Sequence, residues 1–364
     1  MKQKLLYVIN YITNGGPSHV IRTLIRNLEP ERYDITLLTL FSGNDPSVLS
    51  ELNAQGIHIA ECTTMTRLGA MLGHSKEFDT LARQGHFDVI HTHGFIPDIL
   101  SSRLHTDSLH ISTLHNNMFE DYLSTYGSLK SKLYILLHLH ALRKLDCCVC
   151  CAKSVYDVMS KKAPLEKLFY IRNGIDPLFT HTPLSREDLH IPADSRVFIY
   201  TGRFTPGKNV KWLTEQFRKI HSEQEYLLLL GDGETLSDCR QFESSHIRFL
   251  GFQPDVQQYL QLSDVYISAS LSEGFSISVL EALDCGLGLF LSSIPSHREA
   301  FEIDPNIYLG ELFNFSDDDF SRCFHRLREN AARLGQKEII RFKQNYLSGK
   351  QMTEAYTKLY AKNS

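Results

Sequence analysis

The sequence lacks most of the features that would assign a function quickly. No sign of charge dominates: 38 Lys and Arg stand against 42 Asp and Glu, a formal net of −4 over 364 residues. That balance gives no basis for general nucleic-acid binding. No stretch reaches the roughly 18 apolar residues of a membrane span. The apolar run in the first ten residues is too short for a signal peptide, and no small-residue cleavage site follows it. A cytoplasmic protein is expected. The dinucleotide fingerprint G-x-G-x-x-G is missing after the first apolar run, which argues against a bound nicotinamide. Zinc-site spacing is missing too. Of the eight cysteines, Cys147, Cys148, Cys150 and Cys151 form two overlapping C-x-x-C pairs with no second pair at the required distance. They lie in a segment that reads as a buried strand, where residues three apart face opposite sides. Small buried thiols in a reducing compartment are the expected reading.

What the chain does have is repetition of one unit. A length of 364 residues with 42% hydrophobic content suits two domains, each with its own core. Apolar runs with little alternation predict parallel-type strands at residues 4–10, 33–40, 56–60, 88–94, 109–117, 146–151 and 168–172. A stretch rich in Pro, Ser, Thr and charge, 177–194, reads as a linker. A second series follows at 196–201, 226–230, 247–250, 264–269, 288–292 and 306–309, with helical spacing between the runs. Sequential βα units predict two parallel sheets with helices on both faces. A final segment, 350–359, has helical spacing through Met352, Tyr356 and Leu359 and is expected to pack back on the first domain.

In open α/β sheets the carboxyl ends of strands line the ligand crevice. The turn Asn14-Gly15-Gly16-Pro17 falls at such an end, and adjacent glycines let backbone approach a ligand. His93 and His115 fall at two more. His93 is read as structural. His115 leans toward function because a polar loop is expected after it. The loop Gly202 to Asn209 carries Arg203 and Lys208, a fork and a point charge that suit a diphosphate. The stretch Ser272 to Leu283 leaves a strand, passes Glu273, Gly274 and Phe275, and enters a helix near Ser276, Ile277 and Ser278. Its first turn offers unpaired N–H groups to phosphate, and Glu281 could accept hydrogen bonds from vicinal ribose hydroxyls. The segment from Ser128 to Leu145 reads as a helix with a stripe of Leu129, Leu133, Leu136, Leu137, His140 and Leu145. Lys130, Lys132, Arg143 and Lys144 flank the stripe. Two readings are open: a face resting on anionic lipid headgroups, or a core-packed helix with solvated ends.

Taken together, the Gly15-Gly16 turn, Arg203 with Lys208, Asn173-Gly174-Ile175-Asp176 and Glu273 with Glu281 at E-x7-E spacing resemble family 4 of the retaining glycosyltransferases. The resemblance runs over almost the whole chain. It implies the GT-B fold, two Rossmann-like doubly wound domains facing across a cleft. The first would span 1–178, with residues from about 347 to 364 packed back on it, and the second 179–346. It implies a UDP-sugar donor held mainly by the second domain and no metal or other cofactor. Arg203 and Lys208 would hold the diphosphate, helped by amides around Phe275 to Ser278. Glu281 would take the ribose, Glu273 the donor sugar, Gly251 and Phe252 the base. Gly16, with Gly15, would approach the phosphates, and His115 would serve the sugar hydroxyls and the acceptor. The acceptor implied is a glycan, polyprenyl-diphosphate-linked by family habit. The setting would be cell-surface polysaccharide synthesis, with the enzyme peripheral on the inner face of the membrane. Three positions depart from the family pattern: Ser276 for the usual Gly, Ala152 for a frequent Ser, and Gly207 for a frequent Glu. Asp317-Asp318-Asp319, a later acidic run, is read as a helix start. The alternatives are a non-catalytic sugar-nucleotide-binding module and, further off, a nucleotide-sugar epimerase.

Overall fold

The computed structural model describes residues 2–178 and 184–361. It divides into two compact units, Met1–Gly174 with Gly349–Ser364, and Ile175–Ser348. Part of the expected linker, 179–183, lies outside the described residues.

The first unit is built on seven parallel strands: β1 Gln3–Ile9, β2 Tyr33–Thr39, β3 His58–Glu61, β4 Val89–His93, β5 Leu109–Leu114, β6 Cys147–Cys150 and β7 Leu168–Tyr170. Their order is β3-β2-β1-β4-β5-β6-β7. The order reverses at β1, where Leu5 pairs with Ile35 of β2 on one side and Val89 of β4 on the other. Strands buried on both faces need apolar residues throughout, and Leu5, Leu6, Tyr7 and Val8 are all fully buried. The four clustered cysteines are buried. Burial raises the Cys148 and Cys150 thiols well above their ordinary range, so they behave as packing groups.

The helix Gly349–Tyr360 belongs to this first unit. It lies on the sheet through a buried polar network. The Tyr360 hydroxyl is 3.0 Å from that of Tyr7 and 2.9 Å from Nδ1 of His91. Nε2 of His91 meets Oγ1 of Thr113 at 2.8 Å, and that oxygen meets the Tyr356 hydroxyl at 2.8 Å.

The segment after His115 differs from expectation. A helix, Met118–Leu142, starts there in place of a polar loop, and its later part is the helix expected from Ser128. Asn117 caps it, its side chain accepting from the Phe119 N–H at 3.2 Å. At Gly127 the backbone leaves helical values (φ 73°, ψ 173°), so two helical pieces meet there. Both pieces are held to one buried carboxylate. Asp98 accepts from Ser112 at 2.9 Å and sits 2.7 Å from Nε2 of His138, whose Nδ1 meets the Tyr122 hydroxyl at 2.7 Å. The leucine stripe of the second piece points outward: Leu129 is 84% exposed, Leu136 65% and Leu133 57%. The core-packed alternative does not hold for it. Leu145 falls past the helix end and is half-buried.

The second unit carries six parallel strands: β8 Arg196–Thr201, β9 Glu225–Leu230, β10 Ile247–Gly251, β11 Val265–Ser268, β12 Gly288–Ser292 and β13 Gly310–Phe313. Their order, β10-β9-β8-β11-β12-β13, reverses between β8 and β11. An aromatic core of Phe198, Phe217, Phe290, Phe313, Phe320 and Phe324 fills one face. The last strand was expected at 306–309. Instead Asp304 binds the Asn306 N–H at 3.2 Å, making a turn there. Pairing starts at Gly310, where a Cβ would lie 1.9 Å from the Leu289 carbonyl oxygen. Asp317, Asp318 and Asp319 open the helix Asp317–Glu329 behind a Ser316 cap, where acidic groups complement the helix dipole. The Lys343 ammonium is fully buried, 2.7 Å from Asp284 and 2.8 Å from the Ile175 carbonyl. Asp284 also accepts from the Leu178 N–H at 2.7 Å.

Candidate active site

In the second unit the chemistry-bearing residues gather where β8 and β11 end, at the reversal of strand order, the place where open α/β sheets bind ligands. Arg203 and Lys208 leave β8. Glu273 leaves β11, and the helix Ile277–Asp284 follows it. The two loops are joined by the Leu271 N–H donating to the Gly207 carbonyl at 2.8 Å. The ends of β9 and β10 pack against them. The Gly231 N–H donates to the Gly251 carbonyl at 2.8 Å. Gly231 lies so close to Gly202 that a Cβ would sit 1.9 Å from its carbonyl oxygen, and its φ of 130° suits only glycine.

Lys208 and Glu273 form an ion pair. Glu273 is 11% exposed at its side chain and also accepts from the Ser270 hydroxyl at 2.7 Å. Burial pushes its carboxyl up, but the Lys208 charge and these hydrogen bonds more than offset that, so it lies below the usual glutamate range. Glu281, eight residues on, is treated oppositely. Its side chain makes no hydrogen bond among the described residues, and burial with the nearby Asp284 charge raises it to about 7. Two carboxylates one helical turn from the same loop are thus driven apart in acidity, a pattern of groups with separate tasks.

Ser276 is the N-cap residue, with φ −65° and no capping bond from its side chain. Its negative φ accommodates a side chain without strain where the family usually has Gly. Phe275 is buried, and Ile277 and Ser278 are half-buried. Phe252, after the left-handed Gly251 (φ 69°), is 67% exposed. Arg203 is exposed and makes no ion pair or side-chain hydrogen bond among the described residues.

In the first unit Gly15 and Gly16 are exposed at the start of the helix Gly16–Asn27, with Pro17 in its first turn. His115, just past β5, is half-buried, and its Nε2 lies 2.9 Å from Nδ1 of His93. Burial lowers His115 to about 4. His93 is also lowered well below the usual value, by burial and by the neighbouring imidazoles.

Sequence reasoning missed His297. It lies on the short helix Pro295–Glu302 and is fully buried. Its Nδ1 lies 2.9 Å from the Ser292 carbonyl, which fixes the proton there. The imidazole is close enough to the Lys208–Glu273 pair to feel both charges, yet burial lowers it to about 4. It is a neutral neighbour of that ion pair. The one hint was a histidine two residues after a helix-starting proline at a strand end.

Two doubly wound parallel sheets, with basic and acidic side chains converging at the reversal point of the second, define a GT-B glycosyltransferase. Comparison with known proteins agrees. Residues 14–178 match the family described as Glycosyltransferase Family 4, and residues 195–328 match Glycosyl transferases group 1. The chain belongs to family 4 of the glycosyltransferases. It is 26% identical over 311 residues to the Escherichia coli O-antigen biosynthesis glycosyltransferase WclY, covering 82% of each chain. It is 25% identical over 327 residues to an E. coli UDP-Gal:alpha-D-GlcNAc-diphosphoundecaprenol alpha-1,3-galactosyltransferase, covering 83% of this chain and 82% of that one. Among solved structures, Anabaena HepE in complex with UDP-glucose superposes with a TM-score of 0.79 at 16% identity, covering 98% of each chain.

Proposed function

We propose that this enzyme moves a sugar from a UDP-sugar to a polyprenyl-diphosphate-linked glycan, with retention of configuration and without a metal, in bacterial surface-polysaccharide synthesis. The observation that carries the reading is the Lys208–Glu273 pair beside an unpartnered Glu281 at one helix start. Lys208 and Arg203 serve the donor diphosphate, and the amides at Ile277 and Ser278 add to them. Glu281 accepts from the ribose hydroxyls. Glu273 accepts from the sugar, exchanging Lys208 for it when the diphosphate claims the ammonium. Gly251 and Phe252 flank the base, while Gly15, Gly16 and His115 of the first unit serve phosphate and sugar. Charge grows on the diphosphate as the bond from the anomeric carbon to its oxygen breaks. The acceptor oxygen bonds to the same face of that carbon, and its proton passes to the departing phosphate oxygen. No enzyme nucleophile is used.

The names of the E. coli relatives support the donor class and the acceptor class. For the acceptor's lipid, the support is the outward stripe Leu129, Leu133 and Leu136, flanked by Lys130, Lys132, Arg143 and Lys144, none of which is ion-paired among the described residues. We assign that face to an anionic lipid surface: leucines enter the headgroup boundary and cations meet the lipid charge. On this reading the enzyme works peripherally on the inner membrane face.

A panel of UDP-, GDP- and ADP-sugars tests the donor. UDP-sugars are expected to raise the melting temperature, and one of them to release UDP when a polyprenyl-diphosphate-linked glycan is added. Binding without turnover across the panel of lipid-linked acceptors would leave a binding module in its place.

A further inference from the structure

His93 is the last residue of β4 and is fully buried. Its Nδ1 lies 2.9 Å from Nε2 of His115, with the rings 27° apart and their centroids at 5.1 Å. Its other nitrogen, Nε2, is buried with no hydrogen-bond partner among the described residues. His91, two residues earlier, does not share in this contact through its nitrogens, because both are bonded elsewhere.

A contact of this length between two ring nitrogens needs one proton and one lone pair. There are two ways to supply them. If His115 donates, the remaining proton of His93 sits on Nε2, a buried N–H with no acceptor. If His93 donates from Nδ1, its Nε2 is a bare lone pair. Orphaned buried N–H groups are rarer than under-used acceptors, so the second arrangement prevails. Burial keeps both rings neutral near pH 7, which removes a doubly protonated pair.

We infer that His93 is a positioning residue that donates from Nδ1 to Nε2 of His115 and thereby fixes His115 as the tautomer protonated on Nδ1. His115 then has no free lone pair. It offers an N–H to an oxygen of the sugar or phosphate, and it cannot take the proton of the acceptor hydroxyl. The inference rests on the proposed function only for which oxygen His115 meets. The tautomer itself does not depend on it. It also agrees with a mechanism in which the departing phosphate oxygen is the base.

The test uses the full chain labelled with nitrogen-15 histidine. His115 signals are identified by their loss in His115→Asn, and the one-bond and two-bond couplings show which nitrogen carries the proton. The expected result is Nδ1–H in the unmodified protein. In His93→Phe, which keeps the ring and loses the donor, His115 should shift toward the Nε2–H form that free histidine favours in water. His93→Asn puts an amide N–H at the position of Nδ1 and should restore the Nδ1–H form. Turnover of UDP-galactose, UDP-glucose or UDP-N-acetylglucosamine, whichever is used, should fall about tenfold in kcat for His93→Phe, the equivalent of one lost hydrogen bond. The Asn variant should recover most of that, even where its melting temperature is the lower of the two. An Nε2–H proton on His115 in the unmodified protein would overturn the inference. So would equal loss in both variants that follows melting temperature. If no UDP-sugar is turned over, the proposed function fails, and the tautomer measurement still decides the role of His93.

Discussion

Replacing Glu281 with Gln should make the protein more stable and a poorer binder of UDP, and the first effect should depend on pH. Glu281 is raised to about 7 from an ordinary 4.5 because its charge is desolvated and sits near Asp284. Between those two values the folded chain holds more protons than the unfolded one. Stability therefore falls as pH rises through the window from about 4.5 to about 7, and the full penalty is present above it. A shift of this size corresponds to roughly 3 kcal/mol, and solvent reaching the half-buried carboxylate trims that to about 1–3 kcal/mol. Gln keeps the shape and cannot ionise. Its advantage over Glu should be small at pH 4.5 and reach about 1–3 kcal/mol at pH 8, or several degrees at roughly 2–4 °C per kcal/mol. Taking the difference between variants at each pH cancels the groups they share. At pH 8 the ribose hydroxyls lose a charged acceptor, so calorimetry should show UDP bound more weakly by about 1.5–3 kcal/mol. The unmodified protein, about half protonated at Glu281 at pH 7, should also release up to about half a proton on binding UDP there, visible as a heat that changes with the buffer. A stability difference flat across pH, or unchanged UDP affinity, would refute the reasoning.

Further tests concern separate parts of the molecule. Lys208→Ala should reduce kcat more than UDP affinity, because the charge it meets grows in the transition state; a change in KM alone would contradict this. Lys130→Glu with Lys132→Glu should reduce co-sedimentation with vesicles rich in anionic lipid and leave neutral vesicles unaffected, and equal sedimentation would remove the membrane assignment. Tyr360→Phe leaves the Tyr7 hydroxyl and Nδ1 of His91 without their shared buried partner. It should lower stability in urea by about 1–3 kcal/mol, and an unchanged midpoint would show that the network is decorative.

Strand positions were legible in this sequence because strands covered on both faces are apolar from end to end, and the runs at β1, β8 and β9 stand out from the polar turns around them. Exceptions have local causes. The last strand slid to Gly310 because only glycine fits against the Leu289 carbonyl there. Of the helix Met118–Leu142, the piece from Ser128 was legible by its leucine spacing, while the piece before Gly127 was not, because polar residues interrupt it and Gly127 breaks the period. Within the site, the segments were visible as strand-end loops, but their pairings were not. Lys208 and Glu273 lie 65 residues apart in sequence, and periodicity carries no information about such a contact. His297, the Asp98–His138–Tyr122 chain and the His93–His115 contact were hidden for the same reason. Each is a side-chain meeting made by the sheet order, and each residue alone looks like an ordinary buried polar group.

The helix Gly349–Tyr360 belongs to a unit whose strands were all laid down before residue 175. A ribosome making this chain N-terminus first therefore leaves the Tyr7, His91 and Thr113 side chains waiting, uncapped, through the synthesis of an entire second lobe. Maturation of the first lobe is in this way tied to synthesis of the second. A nascent chain stalled or clipped before Tyr356 and Tyr360 emerge would carry an unfinished lobe, with the Tyr7 hydroxyl and Nδ1 of His91 short of their partner and His91 and Thr113 bonded only to each other.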